Sequence, residues 1–465
     1  MISLARLKPR RLDLNPRVYT AYGAAYFLTL GAWMAATAAF TPFRLVRDIG
    51  FYLTDPRQMA WLYLSGRLMG VFLLGLGAAL VAATGARFWG RRAGLWAGLF
   101  FAAAPMNVML AHILKPNLMG VTYLIGLFYF CGKLIEPGEE DRLSTWCWAG
   151  AMLGMAAAAT NILWDGGVLL LPALGARRGR AASRDLPGFA AALGVALFLF
   201  FLTNPFYILD ARNSWTMMFM SKQHSDLSFA QLWRLISGGF PKGLTLGLEL
   251  WLAAALLKRS SWTDPVRFAA AAGAVFYIGC AFMMQDARLL VNLRHFYGIP
   301  FVCWLAGVAI ADSWDGRWRA LARPAAVLAL AWALWASAVM DVNFHREAAG
   351  VSTKDLAGQW IDEHIPAGAE IGMIKLPQPG NSAYFQLNRY RLRFLDLETL
   401  AQGKLAPPEY LVFAALPKSH EDVLAPLLQS RYALVHQERP AFTSWFSPPA
   451  RDLIANPPVL VFKKT

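Results

Sequence analysis

The sequence has little charge, few acidic residues and few cysteines for its length. Only 16% of its 465 residues are charged, 29 residues are Asp or Glu, and four are Cys. Soluble proteins carry about 25% charged residues, and small disulfide scaffolds are dense in cysteine. The composition therefore excludes an ordinary soluble globule and a disulfide scaffold. Its 57% hydrophobic content also excludes a disordered chain.

The cysteines do not indicate a metal or redox site. Each lies in or beside an apolar run, and none belongs to a CxxC pair or has a His at ligand spacing, as the positions show: Cys131, Cys147, Cys280 and Cys303. We interpret them as small packing residues. The sequence assigns no metal ligands, and a divalent metal is kept only as an alternative aid to phosphate chemistry.

The positive charge is concentrated in the first 340 residues. The net charge is +15, yet the stretch from Asp341 to the end holds 13 basic and 13 acidic residues and is neutral. The basic residues before it fall between apolar runs, as in the cytoplasmic loops of membrane proteins. A nucleic-acid binder would gather them on one folded domain, so nucleic acid is not an expected partner.

Long apolar runs predict an all-α polytopic membrane bundle of about 10–11 helices, since a helix needs about 20 apolar residues to cross a bilayer. We assign this bundle to residues 67–340. The predicted spans are 67–86, 93–111, 117–133, 146–161, 187–203, 240–257, 268–285, 296–311 and 324–340, with a short return run at 166–176 that forms a hairpin with 146–161.

Basic loops predict the orientation of the bundle. Arg87, Arg91 and Arg92 lie in one short loop, and later loops assigned to the same side carry further basic residues, namely Arg177, Arg178, Arg180 and Arg184, then Lys258, Arg259 and Arg267, then Arg317, Arg319 and Arg323. Such loops stay in the cytoplasm. The loops around 112–116, 204–239 and 286–295 then face outward, and so does the chain after Met340.

The amino-terminal segment of the chain allows two predictions, whereas the carboxy-terminal segment allows one. Residues 1–66 are predicted either as an outer-face juxtamembrane region with a helix on the membrane surface, or as a cytoplasmic start with a first span at 21–40. Residues 341–465 predict a soluble α/β domain on the outer, periplasmic side. A helix starts there at Ser352, and five short β-type runs follow at 370–376, 390–397, 410–416, 432–437 and 459–463.

Polar side chains at the predicted outer ends of the spans are candidates for binding a lipid with a phosphate headgroup. Basic groups can hold a phosphate through charge-assisted hydrogen bonds, and acids near a membrane are costly. The candidate substrate-binding residues are His112, Lys115, Asn117, Asn161, Asp165, Asp210, Arg288, Arg294 and His295.

Several segments resemble the integral-membrane glycosyltransferases that use polyprenyl-phosphate sugars. This GT-C superfamily includes the protein O-mannosyltransferases and the aminoarabinose transferases that act on lipid A. The order and spacing of the matching segments carry the resemblance. They are 12–17 before an aromatic-rich run, Gly66-Arg67-Leu68, Ala104-Pro105 through His112, Gly154 to Thr160, Thr203-Asn204-Pro205 to Asp210, Arg294-His295 through Pro300 and Trp360-Ile361 to Pro366.

The resemblance implies an inverting glycosyltransferase of the bacterial inner membrane. Such an enzyme moves a sugar from a polyprenyl-phosphate donor to a lipid, polysaccharide (glycan) or protein acceptor on the outer face, among membrane lipids. A carboxylate ahead of the Asn15-Pro16 segment is the family's base, yet only 14 residues precede Asn15. The acids before residue 66 are therefore the catalytic candidates: Asp13, Asp48 and Asp55.

Other interpretations stay open at this point. The base can lie upstream of Met1 if the sequence is truncated at its amino terminus. The chain can also be a non-catalytic relative that binds a lipid-linked sugar, because Asn117 and Asn161 stand where the family has an acid and a lysine. A transporter or flippase is a third alternative, although no internal repeat is visible.

Overall fold

A computed structural model gives the fold. It describes residues 22–48, 51–52, 55–112, 114–136, 143–170, 182–212, 298–315, 351–374, 383–395, 405–414, 418–439 and 458–465, together with single positions between 264 and 270, between 320 and 342, and at 400. The described residues form two compact units, one up to Ser337 and the other from Ala338 to Thr465. The predicted spans at 240–257 and most of 268–285 lie outside the described residues.

The first unit is helical. Its helices are α1 (Ala24–Phe40), α2 (Pro56–Trp89), α3 (Arg91–Ala102), α4 (Pro105–Ala111), α5 (Asn117–Ile135), α6 (Leu143–Ala159), α7 (Ala182–Thr203), α8 (Phe206–Leu209) and α9 (Ile299–Asp315). A 3-10 helix, Asn161–Leu169, follows α6 and occupies the start of the predicted return helix. Described positions between 320 and 342 are also helical.

The predicted span over 93–111 is not one continuous helix, because the chain breaks into α3 and α4 at Ala103 and Ala104. Pro105 has no N–H to donate, and its ring is incompatible with the carbonyl four residues earlier in a continuous helix. That carbonyl, of Phe101, instead accepts a 2.6 Å hydrogen bond from Nδ2 of the fully buried Asn107. The asparagine therefore satisfies the end of α3 and fixes the angle of the break.

Helix α2 begins eleven residues before the predicted span, so the predicted domain boundary at residue 66 falls inside it. Asp55 caps this helix by accepting hydrogen bonds from the backbone N–H groups of Arg57 and Gln58 at 3.0 and 3.2 Å. Pro56 occupies the first helical position, where a missing N–H costs nothing. The polar cap lets the helix start well before its apolar run.

Small residues let the helices approach one another closely. Gly85 of α2 faces Gly94 of α3, and Gly307 of α9 faces Ala93 and Ala97. Membrane helices commonly pack through such positions, since lipid provides no hydrophobic drive for association. Trp304 fills the space beside them, stacks on Phe128 at 4.5 Å and donates a 2.9 Å hydrogen bond from Nε1 to the carbonyl of Val81.

The bundle has two distinguishable ends. At the end that we name the Arg87 end, the guanidinium of Arg87 forms a bidentate pair with Glu136 at 2.8 and 3.2 Å, and Phe88 packs on Gly132. At the other end, which we name the Asn204 end, Gly66 and Gly70 of α2 pack on Leu114 and Ala111.

Helix α1 packs on the first half of α2. Its Trp33 donates a 3.0 Å hydrogen bond from Nε1 to the carbonyl of Ser65 and packs against Phe72. Beyond α1, the backbone N–H of Arg44 bonds to the side chain of Gln58 at 2.8 Å. The helix is thus bound to the first half of α2.

Three helical segments are long and apolar enough to cross a membrane within the described part of the chain, namely Arg57–Trp89, Asn117–Ile135 and Asp185–Thr203. Shorter apolar helices are Ala24–Phe40, Leu143–Ala159 and Ile299–Asp312. These helices place the chain in a membrane, whereas the count of about 10–11 spans stays a prediction.

The second unit is a mixed α/β structure. It contains α10 (Thr353–His364), β1 (Glu370–Ile374), β2 (Arg391–Leu395), β3 (Tyr410–Ala414), α11 (Lys418–Arg431), β4 (Tyr432–Glu438) and β5 (Val459–Lys464). The sheet order is β2-β1-β3-β5-β4, in which β1 runs parallel to β2 and β3, and β5 runs antiparallel to β3 and β4. All five predicted strands are therefore present, while α11 was not predicted.

The sheet of the second unit has a hydrophobic cluster on each face. Val412 lies in a cluster with Ala357 and Ile361 of α10, whereas its neighbour Phe413 lies in another cluster with Leu424 of α11. This alternation follows from the two-residue repeat of a strand. The predicted start of α10 is confirmed, because Ser352 and Asp355 form a reciprocal capping box.

The contact between Gly70 and Ala111 can be tested with a matched pair on α2. A Cβ at Gly70 would overlap the carbonyl oxygen of Ala111, whereas a Cβ at Gly75 would meet no atom within 4 Å. We expect Gly70→Ala to lower the free energy of unfolding by about 1–3 kcal/mol through overpacking. Gly75→Ala should be neutral or raise it by up to about 1 kcal/mol, because alanine favours helix. Thermal unfolding of the full chain in one detergent measures both, and equal melting temperatures would contradict this packing.

Candidate functional site

Three separate parts of the first unit meet at the Asn204 end through backbone groups. Tyr22 and Thr160 form an isolated antiparallel β-bridge. The N–H of Gly23 donates to the carbonyl of Ala159 at 3.1 Å. The N–H of Ala24, the first residue of α1, donates to Oδ1 of Asn204 at 2.6 Å. The start of α1 is therefore fixed to the ends of both α6 and α7.

The local sequence explains why Asn204 can make this contact. A residue before proline disfavours the helical conformation, so α7 ends at Thr203 and Pro205 starts the next turn. Nδ2 of Asn204 donates to the carbonyl of Phe200 at 3.0 Å, while its Oδ1 accepts from α1. The buried carboxamide thus satisfies a carbonyl at the end of one helix and an N–H at the start of another.

The same end also holds the turn at 112–116 and the 3-10 helix. Gly120, in the first turn of α5, packs on Thr160 and Leu163. Leu114 and Trp164 both pack against the hydrophobic cluster that contains Phe206 and Tyr207. The structure thus brings together the segments around Lys115, Asp165 and Asp210.

Lys115 is a half-buried cation at this end. It lies just before α5, whose first turn is closed by a 2.9 Å hydrogen bond from the N–H of Gly120 to the carbonyl of Pro116. Its ammonium forms no ion pair or hydrogen bond in the part of the chain that the structure describes. Burial lowers the pKa of the Lys115 ammonium below the usual range for lysine. An anion beside Lys115 would offset the cost of desolvating its charge.

His112 and Asn117 flank Lys115. Nδ1 of His112 lies 2.8 Å from the carbonyl of Val108, which orients the half-buried ring within the turn. Asn117 is buried as the first residue of α5. Both residues therefore support the same turn, and their contact with a ligand stays a prediction.

The chain is similar to solved structures, although no sequence comparison finds a match. No protein-family model and no curated protein sequence matches the chain. The crystal structure of ArnT from Cupriavidus metallidurans bound to undecaprenyl phosphate is similar at a TM-score of 0.50 and 15% identity, over 95% of this chain and 88% of that one. The apo oligosaccharyltransferase of Archaeoglobus fulgidus is similar at a TM-score of 0.52 and 10% identity, over 95% of this chain and 69% of that one. The chain has the GT-C glycosyltransferase fold.

The candidate acids occupy different environments in this chain. Asp55 caps α2, so its carboxylate already serves the helix. Asp48 is exposed in the segment after α1. Asp210 is half-buried at the end of α8, where its N–H donates to the carbonyl of Phe206 at 2.9 Å. Asp210 comes directly after α8 in the sequence, and Phe206 and Tyr207 of α8 belong to the hydrophobic cluster at the Asn204 end.

The remaining predicted residues are described by their backbone alone or lie outside the described residues. The backbones of Asn161 and Asp165 belong to the 3-10 helix at the Asn204 end. Asp13, Arg288, Arg294 and His295 lie outside the described residues. Within the described ranges, no three His, Cys, Asp or Glu side chains form a metal-binding group.

Two polar residues at this end were not among the predicted site residues. Asn204 joins α1 to α7, and Thr160 has a buried hydroxyl without a hydrogen-bond partner in the described part of the chain. The Asn204-Pro205 pair could have predicted that α7 ends there and that Asn204 lies at this end. For Thr160 the signal was its place at the end of the Gly154 to Thr160 segment, which did not single out its hydroxyl.

The bond from α1 to Asn204 can be tested by hydrogen exchange. We expect Asn204→Leu to lower the free energy of unfolding by about 1–3 kcal/mol, because buried backbone groups lose their partners. It should also speed exchange of the Ala24 amide. Asn204→Asp keeps the acceptor oxygen and should keep that amide protected.

Thr122→Val is the control, since it removes a buried side-chain hydrogen bond, to the carbonyl of Leu118 at 2.8 Å in α5, that does not involve Asn204. Exchange mass spectrometry of peptides covering Ala24 separates the variants. Unchanged protection of Ala24 in Asn204→Leu would contradict the assignment.

Proposed function

We propose that the protein is a glycosyltransferase that moves a sugar from a polyprenyl-phosphate carrier to an acceptor at the outer face of the bacterial inner membrane. The GT-C fold supports the reaction class, and ArnT with the same fold is bound to undecaprenyl phosphate in its crystal structure. The half-buried Lys115 at the Asn204 end is the observation in this chain that carries the proposal.

Lys115 has the properties of a phosphate-binding group. Its ammonium is partly withdrawn from water without a protein anion among the described residues, so its desolvation cost is unmet. A phosphate monoester or diester would supply the missing charge through short charge-assisted hydrogen bonds. The apolar cluster beneath the turn provides a site where a lipid tail can remain in the membrane.

The proposed reaction is a single displacement. A hydroxyl or amine of the acceptor attacks the anomeric carbon, the bond from this carbon to the phosphate oxygen breaks, and the carrier phosphate leaves with its electron pair. One displacement inverts the configuration at that carbon. Lys115 would stabilise the charge that develops on the departing phosphate, and a carboxylate would take the acceptor proton.

The sidedness of the bundle is part of the proposal. Arg87, Arg91 and Arg92 lie at the Arg87 end, which we assign to the cytoplasm by the positive-inside rule. The Asn204 end then faces outward, and the α/β unit from Ala338 onward is periplasmic. The contacts of α1 with the first half of α2 favour a helix on the outer membrane surface over a first span.

The candidates for the base differ in where they lie. Asp210 and Asp165 belong to segments at the Asn204 end, whereas the carboxylate of Asp55 is engaged as a helix cap. Asp13 and Asp48 remain candidates from the sequence. Asp165 and Asp210 are therefore the first residues to change.

A transfer assay tests the proposed function. The full chain in proteoliposomes is given a labelled polyprenyl-phosphate sugar and extracted envelope glycolipids or polysaccharides as acceptors. We expect transfer by the wild type. Of the variants Asp165→Asn and Asp210→Asn, the one that replaces the base should lose about 100-fold or more of this activity. Asp55→Asn is the matched control, since Asn also caps helices. Donor binding without transfer to any acceptor would instead identify a non-catalytic relative.

If Lys115 contacts the phosphate of the donor, donor binding depends on the charge of this residue and therefore on pH. Lys115→Met should weaken binding of undecaprenyl phosphate about 10-fold or more, because a hydrogen bond to a charged group contributes about 1.5–3 kcal/mol. Binding by the wild type should fall as the pH rises through the lowered pKa of Lys115, below the point expected of an exposed lysine. Lys115→Arg stays protonated and should bind over the whole alkaline range.

Titration of the purified chain with undecaprenyl phosphate, followed by native mass spectrometry or tryptophan fluorescence, measures both effects. Equal affinity in Lys115→Met, or the same loss at alkaline pH in Lys115→Arg, would contradict a phosphate contact at this residue.

A further inference from the structure

One face of α2 is an exposed apolar stripe interrupted by a single charge. Residues three and four apart share a face of a helix, and the exposed ones here extend over about four turns. Arg67 is the only charged residue of α2 between Tyr63 and Leu76, and it is exposed on this face. The apolar members and their exposures are Tyr63 39%, Leu64 44%, Leu68 46%, Val71 49%, Phe72 54% and Leu76 39%.

Arg67 has no protein partner in the described part of the chain. Its guanidinium forms no ion pair or hydrogen bond there, in contrast to Arg87 of the same helix, which pairs with Glu136. An arginine beside lipid is costly unless its charge meets water or an anion. Its planar group suits bidentate binding of a phosphate.

Arg67 also lies close to the turn that carries Lys115. The preceding residue, Gly66, is buried and packs directly on the side chain of Leu114, which precedes Lys115. With 3.8 Å between successive Cα atoms, the Cα atoms of Arg67 and Lys115 are at most about 15 Å apart. Two long basic side chains can approach one headgroup across such a distance.

We infer that Arg67 binds the phosphate of an isoprenoid carrier at the lipid-facing rim of the Asn204 end and guides it towards Lys115. The apolar stripe around Arg67 lets the carrier's hydrocarbon chain lie along α2 while its phosphate meets the guanidinium. This inference rests on the proposed function, because it assigns the route by which the donor of that reaction enters from the bilayer.

The test compares two lipid phosphates on the full chain. Undecaprenyl phosphate and dioleoylphosphatidylglycerol are titrated by native mass spectrometry against the wild type, Arg67→Gln and Arg67→Lys. Arg57→Gln is the control, since Arg57 is also an exposed arginine of the same helix and lies about 15 Å away along its axis. We expect Arg67→Gln to bind undecaprenyl phosphate about 10-fold more weakly, Arg67→Lys to lose about 3-fold, and Arg57→Gln to match the wild type.

The outcomes separate this inference from the proposed function. Wild-type affinity for undecaprenyl phosphate in Arg67→Gln would overturn the role of Arg67 and leave donor binding intact. An equal loss for phosphatidylglycerol would also overturn it, because Arg67 would then be a general headgroup contact. Should Arg67→Gln fail to fold, Arg67→Lys decides, and wild-type affinity there overturns the inference. Failure of the wild type to bind undecaprenyl phosphate would instead contradict the proposed function.

Discussion

The candidate site depends on one buried hydrogen bond, from the first N–H of α1 to the side-chain oxygen of Asn204. The first N–H groups of a helix have no partner within it, and an unpaired one is costly where no water reaches. Asn204 removes this cost only because α7 stops just before Pro205. The adjacent contacts of Gly23 with Ala159 and of Tyr22 with Thr160 then add the end of α6. Three distant stretches of sequence thereby form one end of the bundle.

Close packing positions the turn with Lys115 against this end. Gly66 and Gly120 leave room for Leu114 and Leu163, so the turn at 112–116 and the 3-10 helix lie on neighbouring helices. The arrangement leaves Lys115 half-buried, without an acid that pairs with its ammonium in the described ranges. A site built in this way gains most from a ligand that brings its own negative charge.

Much of the fold could be predicted because it follows from local patterns. The apolar run at 117–133 predicts α5, and the β-type run at 410–416 predicts a strand. The structure adds that its neighbouring residues Val412 and Phe413 belong to different hydrophobic clusters. The break at Pro105 and the early start of α2 were missed, since the first depends on how Asn107 satisfies a carbonyl and the second on the cap at Asp55. For the site, the loop positions of Lys115 and Asp210 were predictable from charge alternation. The role of Asn204 was not, because its partner Ala24 lies 180 residues away in sequence.

The central claim is that a lipid phosphate binds at the Asn204 end beside Lys115. A cryo-EM structure of the full chain in a nanodisc containing undecaprenyl phosphate tests it most directly. The account predicts density for the phosphate within about 4 Å of Nζ of Lys115, with the isoprenoid chain extending into the bilayer. Phosphate density at the Arg87 end, or a Lys115 ammonium paired with a protein carboxylate in that structure, would contradict it.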